Sequence, residues 1–96
     1  MVHYAVRCDI VPGRSEDLDR LLSENAKEFW LKQPGVRGFQ VYEDALTGWP
    51  ERTIMIEVDN LESLQRILDS EERKRLRREF NNYATNVQSQ ILEQMI

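Results

Sequence analysis

The sequence predicts an α+β domain of the ferredoxin-like type, with element order β-α-β-β-α-β and both helices on one face of a four-stranded antiparallel sheet. Three observations predict it. Two-residue hydrophobic alternation takes turns along the chain with helical spacing. Turn formers at Pro12-Gly13, Pro34-Gly35, Thr47-Gly48-Trp49-Pro50 and Asp59-Asn60 separate the segments. The 96 residues suffice for one hydrophobic core and no more, so residues 1–96 read as a single domain.

Val2, Tyr4, Val6, Cys8 and Ile10 alternate with His3, Ala5, Arg7 and Asp9, the pattern of a strand with one apolar face. From about Ser15 to Gln33, Leu18, Leu21, Leu22, Ala26, Phe29 and Trp30 form one stripe of an amphipathic helix. Glu16 and Asp17 complement the dipole in its first turn, and Pro34-Gly35 closes it. Residues 36–44 alternate again. In residues 51–58, Ile54, Ile56 and Val58 oppose Thr53, Met55 and Glu57, and the short connection makes a β-hairpin.

Helical spacing returns from about Asn60 to Tyr83. Asp59 with Glu62 has the spacing of a capping box. Ser70 before Glu71 and Glu72 reads as a second N-cap, so a break is expected near Asp69–Ser70. Residues 84–96 fit helical spacing and, in part, strand alternation. Topology favours a strand, because a three-stranded sheet would leave the outer edge of the first strand long and unpaired.

The more apolar sheet face, with Tyr4, Val6, Cys8, Ile10, Phe39, Val41, Ile54, Ile56 and Val58, is expected to meet the helices. The other face carries Ala5, Arg7, Gln40, Tyr42, Thr53, Met55 and Glu57. It is mixed, and suits either water or a second sheet.

Hydrophobic residues make up 41% and charged residues 31%, an ordinary globular balance. Thirteen basic against seventeen acidic residues give a net charge of −4, which argues against general nucleic-acid or anionic-membrane binding. With one cysteine, Cys8, there is neither an internal disulfide nor a multi-cysteine metal site. No apolar run reaches membrane-spanning length, and the first residues lack a signal-peptide pattern. A cytoplasmic protein without metal or other cofactor is expected.

Several segments together carry a family resemblance. They are the strand ending at Pro12-Gly13, the helix ending at Gln33-Pro34-Gly35, the run Phe39-Gln40-Val41-Tyr42-Glu43-Asp44, the run from Ile54 to Leu64, and Asp69-Ser70-Glu71. In this order and spacing the chain resembles the antibiotic-biosynthesis-monooxygenase superfamily of dimeric α+β barrels over nearly its whole length. The resemblance implies a fourth strand in residues 84–96 and a homodimer whose sheets pack face to face. It also implies a pocket for a small aromatic or quinone-like ligand, with cofactor-independent monooxygenase activity as the enzymatic reading. A non-catalytic dimer that binds a metabolite or serves as a structural partner is the alternative. Val58 stands where many active members carry Trp, which favours the non-catalytic alternative, and Glu71-Glu72-Arg73 stands where haem-degrading members carry His, which argues against haem degradation.

Within that frame, His3 and Glu57 are the candidate catalytic pair, taking a proton if strand register brings them together. Asp9 lies too far along the strand from His3 to serve. Arg7 and Tyr42 are candidates to polarise ligand oxygens, and Trp30, Phe80 and Tyr83 to wall the pocket. Each has a plainer reading. Arg7, Gln40, Tyr42, Thr53 and Glu57 form a hydrogen-bonded, charge-paired network at a dimer interface. The aromatics are core. Trp49 is a lid or packs on the partner subunit. Cys8 reads as an inert buried thiol. The basic run from Arg73 to Arg78 reads as a solvated helix face, with Glu71–Arg75 and Arg75–Glu79 pairs. An RNA-recognition fold is rejected, because residues 51–58 hold no aromatic for base stacking.

Overall fold

A computed structural model describes Met1–Ile96. The order is β1 (Val2–Ile10), α1 (Ser15–Arg20), a π-helical segment (Leu21–Ala26), α2 (Lys27–Lys32), β2 (Val36–Tyr42), β3 (Arg52–Val58), α3 (Leu61–Leu68), α4 (Glu71–Phe80) and β4 (Ala84–Glu93). The four strands form one antiparallel sheet in the order β2-β3-β1-β4. Residues 84–93 are therefore a strand. They pair with the outer edge of β1, from Val2 opposite Glu93 to Ile10 opposite Ala84, and satisfy backbone groups that a helix would have left open.

The first helical rod runs unbroken through α1, the π-helical segment and α2. An ideal helix advances about 100° per residue and would swing Trp30 roughly 120° away from Leu18. The wider turns of the π segment take back part of that rotation. Leu18, Leu21, Leu22, Ala26 and Trp30 are consequently all buried against the sheet. The rod stops at Gly35, whose φ of +90° is costly for any residue with a Cβ, and a Cβ there would lie 3.1 Å from Ser63.

The second helical stretch breaks after Leu68, as the sequence predicts, and Ser70 caps α4 by accepting from the Arg73 amide at 3.2 Å. The cap of α3 is Asn60 instead of Asp59. Its side-chain oxygen accepts from the Ser63 amide at 2.8 Å. Asp59 is occupied elsewhere, in a two-pronged ion pair with Arg37 at 2.7 and 3.0 Å.

Residues directly opposite in paired strands point to the same side. Tyr4, Ile56, Phe39 and Ile91 form one row on the helix-covered side. His3, Glu57, Gly38 and Leu92 form a row on the bare side, next to a row of Ala5, Met55, Gln40 and Gln90. The core is on the helix-covered side, with Leu18, Ile56, Leu64 and Val58 at its centre. Val41, expected in that core, is 38% exposed, in the outward-lying last three residues of the edge strand β2.

Two polar devices pin the periphery. Arg52 of β3 grips Asp19 of α1 through Nε and Nη2 at 2.9 and 2.8 Å, which fastens the rod to the sheet. In the β2–β3 loop, one oxygen of Asp44 accepts from the amides of Leu46 (2.8 Å), Thr47 (2.6 Å) and Gly48 (3.3 Å). Those bonds hold its carboxyl below the usual range. No helix is long and apolar enough to cross a membrane.

Candidate functional site

A pocket of about 230 Å³ opens between the sheet, the first helical rod and α4. Its floor is Tyr4 and Val6 of β1, Ile54 and Ile56 of β3 and Phe39 of β2. Leu21, Leu22 and Ala26 from the π segment, with Trp30, make one wall, and Leu76 and Phe80 of α4 the other. A π-helical segment is rare and is frequent at functional sites. Here it sets the pocket wall and leaves a small residue, Ala26, facing the space.

The lining is apolar except at the α4 side, where Arg73, Arg77, Asn81 and Ser89 enter. Arg73 donates through Nη2 to the hydroxyl oxygen of Tyr4 at 2.9 Å. That hydroxyl has no acceptor for its own hydrogen within the protein, so it presents a donor to the pocket. Tyr4 also packs on Trp30, with ring centroids 5.9 Å apart and planes tilted by 41°. An engineered cavity of about 150 Å³ holds benzene. This one accordingly suits a molecule of one or two rings, with apolar faces and one polar end.

The structure divides the residues singled out from sequence. Trp30 and Phe80 line the pocket. Tyr83 packs beside them against the core, under the Arg14 guanidinium 4.8 Å from its ring, outside the pocket lining. His3, Glu57, Arg7 and Tyr42 lie on the opposite, bare side of the sheet. Strand register does bring His3 and Glu57 together, with Nε2 and Oε1 4.0 Å apart. Arg7 stands opposite Thr53 and donates to Gln90 of β4; it makes no ion pair with Glu57. Tyr42 is more than half exposed at the end of β2. No trio of His, Cys, Asp or Glu side chains converges as a metal-binding group.

The basic run differs from its sequence reading. Neither Glu71–Arg75 nor Arg75–Glu79 forms an ion pair; Glu71 pairs with Lys74 at 3.8 Å. Arg73 and Arg77 turn to the pocket. The available signal was their four-residue spacing around Leu76, which puts them on the flank of the apolar stripe. Trp49 remains 60% exposed, and its indole N–H donates to Asp9 at 3.3 Å, so a bond within the chain carries the loop across to the end of β1. Cys8 is buried, and desolvation, reinforced by Asp9, pushes its thiol up to about 11, which keeps it protonated and inert.

No protein-family model matches the sequence, and no curated protein matches it. Solved structures do. An antibiotic biosynthesis monooxygenase superposes with a TM-score of 0.80 at 16% identity, covering 100% of both chains. The chain has the antibiotic biosynthesis monooxygenase fold. A cofactor-independent oxygenase from Streptomyces nogalater, SnoaB, superposes with a TM-score of 0.81 at 11% identity, covering 99% of this chain and 93% of that one. A protein from Mycobacterium tuberculosis reaches 0.80 at 20% identity, over 99% and 95% of the two chains. At these identities the likeness is one of architecture: the monooxygenase fold is shared, and the side chains in the pocket are this chain's own.

Proposed function

We propose that the protein is a homodimeric member of the antibiotic biosynthesis monooxygenase family that binds a small aromatic or quinone-like molecule and oxygenates it without a cofactor. One observation carries this reading. A half-open pocket lies between helices and sheet, with Trp30, Phe39 and Phe80 in its lining and its polar side at Arg73, Arg77, Asn81 and Ser89, where Arg73 meets the Tyr4 hydroxyl. An aromatic ligand would stack in the apolar part and set an oxygen against the Tyr4 hydroxyl and the Arg73 guanidinium. Those two donors would stabilise negative charge on that oxygen as the substrate loses a proton. The deprotonated ring then supplies the electrons. With molecular oxygen as oxidant, a ring C–H becomes C–OH on a quinol that is itself oxidised to the quinone, and the second oxygen atom leaves as water. The apolar walls would keep water from the part of the ligand that they cover.

The bare sheet face supports the dimer. On it Tyr42 and Leu92 are exposed and Met55 is half-buried, apolar surface that a second copy would cover. In a face-to-face pair, His3, Glu57, Arg7 and Tyr42 would lie at the seam between the two sheets.

A specific observation favours a second reading, binding without chemistry: no carboxylate or imidazole lines the pocket to take the proton. Oxygen consumption with a panel of dihydroxy-aromatics separates the two. Uptake above the protein-free rate supports the oxygenase. Binding of the same compounds without uptake supports the binding protein. Failure of every compound to bind at millimolar concentration overturns both.

A further inference from the structure

The charges around the pocket are all of one sign. Arg73 and Arg77 are the only charged residues in its lining, in a chain with net charge −4. Glu71, Glu72 and Glu79 of the same helix stay outside it. Neither arginine takes part in any ion pair, although nine pairs form elsewhere in the molecule. The single side-chain bond of Arg73 goes to Tyr4, which leaves most of its N–H donors free. The Arg77 side chain has no partner at all. The two stand one helical turn apart, where like charges repel. Arg73 is half-buried. An arginine so placed at the rim of an apolar space sits where an anion would relieve the repulsion and fill its donor set.

We infer that the ligand is an organic anion, an aromatic ring system bearing a carboxylate, with the rings on Trp30 and Phe80 and the carboxylate between Arg73 and Arg77. This deepens the proposed function and rests on the same pocket. Tyr4 is a positioning residue in this arrangement: it holds Arg73 over the pocket and offers its own hydrogen to the bound group. Neutral quinols of the same size would fit the walls and set an oxygen against Arg73, but would leave the Arg77 guanidinium and the paired positive charge unanswered.

The test is isothermal calorimetry of the full chain with 2-naphthoate and with its neutral isostere 2-naphthamide. Naphthoate is expected to bind at least about tenfold more tightly, the scale of a charge-assisted hydrogen bond. Raising the salt concentration should weaken naphthoate and leave naphthamide unchanged. Arg77→Gln, at an exposed helix position, should reduce naphthoate affinity several-fold, and Arg73→Gln with Arg77→Gln should erase the preference. Naphthamide affinity should stay within about twofold in Arg77→Gln and fall by less than naphthoate affinity in the double variant, and unchanged far-ultraviolet circular dichroism of both variants shows that the protein remains folded. Equal affinity for the two probes in the parent protein overturns the anion inference and leaves the pocket standing. So does a preference that survives in the double variant. If neither probe binds at millimolar concentration, the pocket reading falls and this inference with it.

Discussion

The guanidinium of Arg73 donates to the hydroxyl of Tyr4 at 2.9 Å across 69 residues of sequence. This bond ties the last helix to the first strand over the floor of the pocket. It also joins a charged group to a ring that is almost fully buried. Tyr4→Phe keeps the ring and removes the oxygen. It is expected to cost about 1 kcal/mol in urea unfolding, the ordinary net worth of such a bond. A cost indistinguishable from zero would show that Arg73 finds equal partners in water.

Ala26 faces the pocket from the π segment. Ala26→Leu places a larger side chain in open space instead of a filled core, so little overpacking results. Naphthamide affinity should fall at least about tenfold, while Tm changes by less than about 3 °C. Undiminished binding would place the ligand elsewhere.

The Asp19–Arg52 fork fastens the first helical rod to β3. The hydrogen bond from Arg52 lowers the Asp19 carboxyl from its ordinary value, and the guanidinium charge adds to this. A lowered carboxyl contributes stability that is present above its unfolded value of about 4 and is lost as pH falls through the lower folded value. Asp19 is about half exposed, so the contribution is modest. Asp19→Asn should cost about 1 kcal/mol at neutral pH. Parent and variant should converge in urea titrations as pH falls through the lowered value of the folded state. A difference that persists unchanged in acid would mean that packing, not charge, fastens the rod.

Cys8 has its thiol raised from 9.0 to about 11, chiefly by burial. A raised thiol contributes stability present below its unfolded value, and that contribution is lost as pH climbs from 9.0 to about 11. At pH 8 a thiol-disulfide reagent should label the native protein at least about a hundredfold more slowly than the urea-unfolded chain. Comparable rates would mean the β1–β3 core opens readily at Cys8.

In the proposed dimer the bare sheet face forms the seam. Met55 lies in the row with Ala5 and Gln40 near its centre. Met55→Glu would bring two carboxylates together in a face-to-face pair. Sedimentation should report twice the chain mass for the parent at micromolar concentration and the chain mass for the variant. A parent that already sediments as one chain overturns the dimer.

Most of the fold was legible because strand alternation and helical spacing are local signals. For residues 84–93 the local pattern was divided, and the need to pair the edge of β1 decided correctly for a strand. The α3 cap was misplaced by one residue because Asp59 and Asn60 are both good caps; Arg37, 22 residues away, takes the first of them. The π segment left no sequence mark. In the pocket, Trp30 and Phe80 were visible through helical spacing. Tyr4 was seen only as core and Arg73 only as surface. Their meeting depends on the angle at which α4 crosses the sheet, which no local pattern encodes. The closeness of His3 and Glu57 hung on strand register in the same way.

Along β1, neighbouring residues answer to different masters. Tyr4 and Val6 look into the cavity, while His3, Ala5 and Arg7 look out from the uncovered side. On the proposed reading, a lineage can exchange Tyr4 or Val6 to change what the pocket takes and keep His3, Ala5 and Arg7 at the seam between copies. Drift in partnership and drift in chemical taste become separable on a strand of nine residues.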